Sequence, residues 1–227
     1  MRQTFEKELR RLQDELVSLG SMVDEALAQS VEVLLRRDLP GAHRVAAGDC
    51  QINERRFAIE SDALVLIATQ QPIAGDLRVI AAVLEIATEL ERIGDYAKGI
   101  ARICLLLGDA PPVKPLVDIP RMADQVQTML RQAMDAFVRR DVDLARSIPP
   151  QDDAIDALYN QVYRELIAFI IADPTKIDRA THLLWVAHNL ERAADRVTNI
   201  CERVVFTVTG ELGELDTREE GACGTSG

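Results

Sequence analysis

The 227-residue sequence predicts an all-α protein made of two tandem repeats of a three-helix bundle, six long antiparallel helices in all. Three observations carry that expectation. Apolar residues recur three and four positions apart over long stretches, the pattern of one helical face. Only 4% of residues are aromatic against 48% hydrophobic, so the core must be mostly Leu, Ile, Val and Ala, which suits packed helices better than a sandwich or barrel. Finally, an acid-bearing segment recurs 100 residues downstream, which makes the chain a duplication.

The first helix is marked by Phe5, Leu9, Leu12, Leu16, Leu19, Val23, Ala26, Ser30 and Val33, a heptad seam with charged residues between. Asp38-Leu39-Pro40-Gly41 breaks it. A second helix is expected over residues 41–68, ended by Gln70-Gln71-Pro72-Ile73-Ala74-Gly75, with Asp76 placed to cap the third. The third helix has its seam at Val83, Ile86, Leu90, Ile93, Ala97, Ile100, Cys104 and Leu107. A linker follows at Gly108-Asp109-Ala110-Pro111-Pro112-Val113-Lys114-Pro115, and the plan then begins again. Met122, Val126, Met129, Ala133 and Phe137 mark a fourth helix; Ile155, Tyr159, Val162, Leu166 and Phe169 mark a fifth around residues 151–172; a sixth covers 176–209. The expected units are 1–108 and 119–209, joined by 109–118, with 210–227 a disordered tail rich in acid and glycine. Short turns between long helices favour antiparallel neighbours.

The repeat is visible residue by residue. Leu84, Ala87, Leu90, Glu91, Arg92, Asp95 and Ile100 recur as Leu184, Ala187, Leu190, Glu191, Arg192, Asp195 and Ile200, an offset of 100. A fainter echo at 103 pairs Arg36-Arg37-Asp38 and Ala42 with Arg139-Arg140-Asp141 and Ala145, and Asp49 and Ile52 with Asp152 and Ile155.

The repeated segments carry the candidate functional residues. Glu91 and Asp95, like Glu191 and Asp195, stand four apart on one helical face, outside the apolar stripe. Two like charges at that spacing mildly destabilise an isolated helix, so something else favours the pair. Carboxylate oxygens are natural ligands for hard cations, and salt bridging or plain solvation is the alternative. Asp152 and Asp156 repeat the spacing on the preceding helix of the second unit, where antiparallel packing would make four carboxylates converge. Glu202, about 20° around the helix from Glu191, stands to join them. In the first unit the counterparts are Asp49 and Asn53, an amide replacing one acid, so a weaker cation site is expected there. Asp152 and Asp153 also follow Pro149-Pro150-Gln151, where acids commonly begin a helix.

A net charge of −11 argues against nucleic acid and anionic lipid as partners. No run approaches the ~18 apolar residues of a membrane span, and the first residues hold no apolar signal core, so a cytoplasmic protein with no membrane insertion is expected. Cys50, Cys104, Cys201 and Cys223 are widely spaced and read as reduced thiols. No catalytic residue is assigned. The Glu-x-x-His motifs of a carboxylate-bridged di-iron enzyme are missing around His43, His182 and His188, and there is no phosphate loop or nucleophile elbow. A helical scaffold indifferent to metal remains the other reading.

The repeated Leu-Glu-Arg-x-x-Asp segment, the six helices and the proline-rich centre together resemble the PhoU family, over about residues 3–209. The resemblance implies two three-helix bundles related by a pseudo-twofold axis, and Glu/Asp-x-x-x-Asp motifs that in some members bind multinuclear clusters of metal, iron among them. Its metal ligands here would be Glu91 and Asp95 with Asp49, and Glu191 and Asp195 with Asp152 and Asp156. Asn53 departs from the pattern, as does Gly99, which stands opposite Asn199. The resemblance implies a protein that is not an enzyme. The resemblance implies negative control of phosphate uptake and of the phosphate-starvation response, contact with the ATPase subunit of a phosphate ABC transporter and with a sensor histidine kinase, and self-association as a homodimer.

Overall fold

A computed structural model describes residues 2–109, 113 and 115–215. In the first half, α1 (Arg2–Arg36), α2 (Leu39–Gln70) and α3 (Ala74–Leu107) pack on one another. In the second half come α4 (Asp118–Arg139), the short α5 (Val142–Ser147), a 3-10 turn (Pro149–Gln151) and α6 (Asp152–Ala172), then a 3-10 turn (Pro174–Lys176) and α7 (Ile177–Thr209). Here α7 packs against α4 and α6. No strand occurs among the described residues.

The seams fill the core as the spacing predicts, with one drift. Leu12, Leu16, Leu19 and Val23 of α1 are buried, and further on Leu27, Val31 and Leu34 join the buried seam residues Ser30 and Val33 while Ala26 is half-covered. A straight helix slips by about 20° per heptad against a strict seven-residue repeat, so over five heptads the seam shifts by about one residue. In α3 the seam from Val83 to Cys104 is buried throughout, joined by Val79, Ile80, Ala82, Ala87 and Ala101. That breadth follows from position: α3 has α1, α2 and α7 around it.

The two corners of the fainter echo are the same structure made twice. Arg37 and Arg140 both take φ 55°, left-handed backbone that ends α1 and α4. The amides of Asp38 and Asp141 each donate back, to Val33 and Ala136 carbonyls at 2.9 Å. The Asp38 carboxylate then accepts from the Gly41 amide, and that of Asp141 from the Leu144 amide, each at 2.9 Å. Each aspartate thus closes one helix and caps the next. Asp76 does not cap: α3 begins at Ala74, so Asp76 lies in its first turn, where a negative charge suits the helix dipole.

The halves share one core. The buried residues form a single cluster, because α1 lies against α4 and α3 against α7. Along the α3–α7 contact, Arg203 pairs with Glu85 at 2.6 Å and Asn199 donates to Glu89 at 3.1 Å. At the other end a Cβ on Gly99 would come within 2.9 Å of Asn189. Glu89 and Asn189 are equivalent residues, as are Gly99 and Asn199, so the contacts mirror each other about Gly94 and Ala194. This is the pseudo-twofold relation, and a side chain at position 99 would require the Asn189 amide to shift.

Candidate functional site

In the first half, Asp49 of α2 and Glu91 and Asp95 of α3 come together along the helix–helix seam. Asp49 is buried, only 7% exposed, which the expectation of solvated pairs did not include. Its Oδ2 accepts from Lys98 Nζ at 2.6 Å and from Asn53 Nδ2 at 3.1 Å. Lys98 also reaches Asp95 Oδ1 at 3.2 Å, so one ammonium bridges acids from both helices. Hydrogen bonds to Asp49 and then Asp95 hold Lys98 above its ordinary pKa, against the opposing effect of burial. Burial raises the Glu91 carboxyl, helped by the nearby charges of Asp95 and Asp49, while Arg56 and Arg92 oppose.

In the second half, α6 supplies Asp152 and Asp156 and α7 supplies Glu191 and Asp195. Asp152 is buried, and Asp152 with Asp153 occupies the first turn of α6. Asp195 accepts from Arg192 at 2.9 Å. Glu191 lies 3.4 Å from His188 Nδ1, and His188 packs against Trp185 and Tyr159, with ring centroids 5.7 and 6.3 Å away. Burial and then the Glu191 charge raise the Tyr159 hydroxyl above its ordinary pKa. Glu202 does not join this group. Eleven residues along α7 displace it by about 16 Å, and its carboxylate accepts from the Leu215 amide at 3.1 Å. Residues 210–215, part of the expected disordered tail, thereby fold back on α7, with Leu215 against the core; residues 216–227 lie outside the described ones.

The sequence reading passed over Lys98 and its counterpart. At the offset of 100 the residue facing Lys98 in the alignment is Thr198, whose side chain is 5% exposed and whose hydroxyl oxygen makes no hydrogen bond. Extending the aligned repeat three residues beyond Asp95 and Asp195 would have shown the substitution. His188 was detectable the same way, three residues before Glu191.

The two sets differ in their fit to a metal ion. The first already contains a cation and an amide where a metal would need open carboxylate oxygens. The second has four carboxylates, hard oxygen donors suited to magnesium, manganese or iron, with a small neutral residue in place of the lysine and with Arg192 paired to Asp195. Among the described residues, no three His, Cys, Asp or Glu side chains are disposed to hold one ion as they stand, so binding would require side chains of the second set to rearrange.

Two like helical halves fused through a common core, each bearing an acidic Leu-Glu-Arg-x-x-Asp segment beside a buried aspartate, define a class of tandem-repeat helical proteins. The sequence pattern of the PhoU domain matches residues 16–104 and again 119–204, and the chain belongs to the PhoU family. It is 39% identical over 209 residues to the phosphate-specific transport system accessory protein PhoU homolog of Caulobacter vibrioides, covering 92% of this chain and 91% of that one. The homolog of the same description from Clostridium acetobutylicum is 35% identical over 216 residues, 95% and 99% of the two chains. The crystal structure of PhoU from Pseudomonas aeruginosa aligns with a TM-score of 0.87 at 34% identity, over 91% of this chain and 100% of that one. The phosphate transport system regulatory protein PhoU from Streptococcus pneumoniae aligns at 0.86 and 32% identity, over 92% and 99%.

Proposed function

We propose that this protein is an accessory regulator of phosphate transport that restrains phosphate uptake and the phosphate-starvation response. It acts without catalysis, in the cytoplasm and as a homodimer, by contacting the ATPase subunit of a phosphate ABC transporter and the sensor histidine kinase. The observation that carries the reading is the match along nearly the whole chain to relatives described as phosphate-transport accessory proteins. The structure is compatible with it. No helix among the described residues is long and apolar enough to cross a membrane. Several large apolar side chains stand exposed on the helices, among them Phe57, Leu64 and Val65 on α2 and Trp185 on α7, and residues of this kind supply the anchors of protein interfaces.

The test is a deletion strain grown in ample phosphate. Phosphate-starvation genes should be expressed as though phosphate were scarce, and a normal response would overturn the proposal. Pull-down with the transporter ATPase and the kinase, comparing the native chain with Phe57→Glu combined with Leu64→Glu, then reports whether the α2 face makes the contact.

The second part of the proposal is a hard cation, divalent or iron, held by Asp152, Asp156, Glu191 and Asp195. Such an ion would tie α6 to α7 and neutralise acids that share one face. Equilibrium dialysis against iron and manganese should show bound metal that disappears when Glu191→Ala is combined with Asp195→Ala. Unchanged metal content in that variant rejects the site.

A further inference from the structure

The two acidic sets descend from one ancestral arrangement but differ at aligned places, Lys98 against Thr198 and Asn53 against Asp156 among them. Both differences act in the same direction. We propose that Lys98 is the resident cation of the first set, so that the first half is closed to metal ions.

The geometry supports this from several sides. Lys98 Nζ sits between Asp49 Oδ2 at 2.6 Å and Asp95 Oδ1 at 3.2 Å, the position a bridging ion would take between α2 and α3. The same Asp49 oxygen also receives the Asn53 amide, so its lone pairs are committed to two donors. The side chain of Asp49 is 8% exposed and that of Lys98 23%, which places the pair away from competing water. An incoming metal ion would meet a fixed like charge at its binding distance, and would have to expel it into solvent while leaving a buried carboxylate to be satisfied anew. Arg56 and Arg92 add further positive charge within reach of Glu91.

In the second half the lysine and the amide are both replaced, while Arg192, the equivalent of Arg92, pairs with Asp195 at 2.9 Å. Thr198 has neither the charge nor the length of lysine, and its buried hydroxyl makes no hydrogen bond. Asp156 replaces the donor Asn53 with an acceptor. Tyr159 stands at the position aligned with Arg56. Beside Thr198 there is a cleft of about 380 Å³, lined also by Asp195, Arg196, Asn199, Glu202 and Glu214. The consequence is an asymmetric molecule. The α2–α3 seam is held by a cation that is part of the chain and always present, while the α6–α7 seam answers to the supply of an ion from outside.

This inference uses the proposed second-half site for comparison, but its test does not depend on that site. The full-length chain is prepared with the second set disabled by Asp156→Asn and Glu191→Gln, and bound Mn²⁺ is measured by equilibrium dialysis with elemental analysis. This parent should bind none. Introducing the second-half residues into the first half, Lys98→Thr with Asn53→Asp, should create one Mn²⁺ equivalent that is lost again on Glu91→Gln, with folding checked by circular dichroism. A folded transplanted chain that binds no Mn²⁺ overturns the proposal. So does Mn²⁺ in the parent that Glu91→Gln removes, a measurement that needs no transplant and so holds if the transplanted chain does not fold. A native chain that binds no metal at all would instead reject the second-half cation site and leave the role of Lys98 standing.

Discussion

The second helix of each half is where the duplicated units differ most. In the first half α2 runs unbroken from Leu39 to Gln70. In the second half the same length of chain is divided into α5, a 3-10 turn and α6, because Pro149 and Pro150 stand where the first half has Ala46 and Ala47. Proline within a helix removes an amide donor and crowds the preceding turn, so the helix must restart. It restarts at Asp152, the counterpart of Asp49. The same aligned aspartate is thus mid-helix and pinned by a lysine in one half, and in the first turn of a new helix in the other. Duplication preserved the position of the acid and altered what holds it.

The shared core gives the largest effect with which to challenge that comparison. Leu90 and Leu190 are equivalent and both are fully buried. Leu90→Ala and Leu190→Ala should each cost about 3 kcal/mol, and urea denaturation should remain a single transition in both. Two separated transitions would mean that the halves fold independently despite their common interior. Next in size is Lys98→Met, which leaves Asp49 buried without its ammonium. Because Lys98 retains some exposure, the loss should be about 2 kcal/mol, below the range for fully buried pairs. Thr198→Val, at the aligned place, should change stability by less than about 0.5 kcal/mol, since its hydroxyl forms no hydrogen bond to lose. Similar losses at the two positions would remove the asymmetry between the sets.

The corners should behave alike. Asp38→Ala and Asp141→Ala each remove one carboxylate cap and should each cost about 1 kcal/mol in thermal denaturation. The smallest effect concerns pH. Glu91 has a raised folded-state pKa, so the folded protein holds that proton more tightly than the unfolded chain does. Its contribution to stability is therefore full below the ordinary glutamate pKa and is lost as pH rises through the raised value. Glu91→Gln should flatten that part of the stability–pH curve and raise stability near neutrality by a few tenths of a kcal/mol, since the residue is partly exposed. A curve identical to the native one would show that Glu91 is not strained by its neighbours.

Periodicity and self-alignment made much of this legible. The seams of α3 and α4 found their buried faces, and the Arg-Arg-Asp echo proved to be a corner built twice. The acids were legible as a pattern on a helix face. Their satisfaction was not, because Lys98 reaches across to α2 and sequence spacing says nothing of a partner on another helix. Glu202 misled for a related reason: angular position around α7 suggested company with Glu191, while the axial rise separated them. The anchoring of Leu215 was not legible either, since Leu212 and Leu215 stand in the same polar stretch and the contact depends on the distant Glu202.

The chain contains one tryptophan, and Trp185 lies edge-on to the imidazole that touches Glu191. A native fluorophore therefore lies within two side chains of that acid. Titrations followed by its emission would register events at that carboxylate from an unlabelled sample, and the opposite half, lacking any indole, would contribute no background.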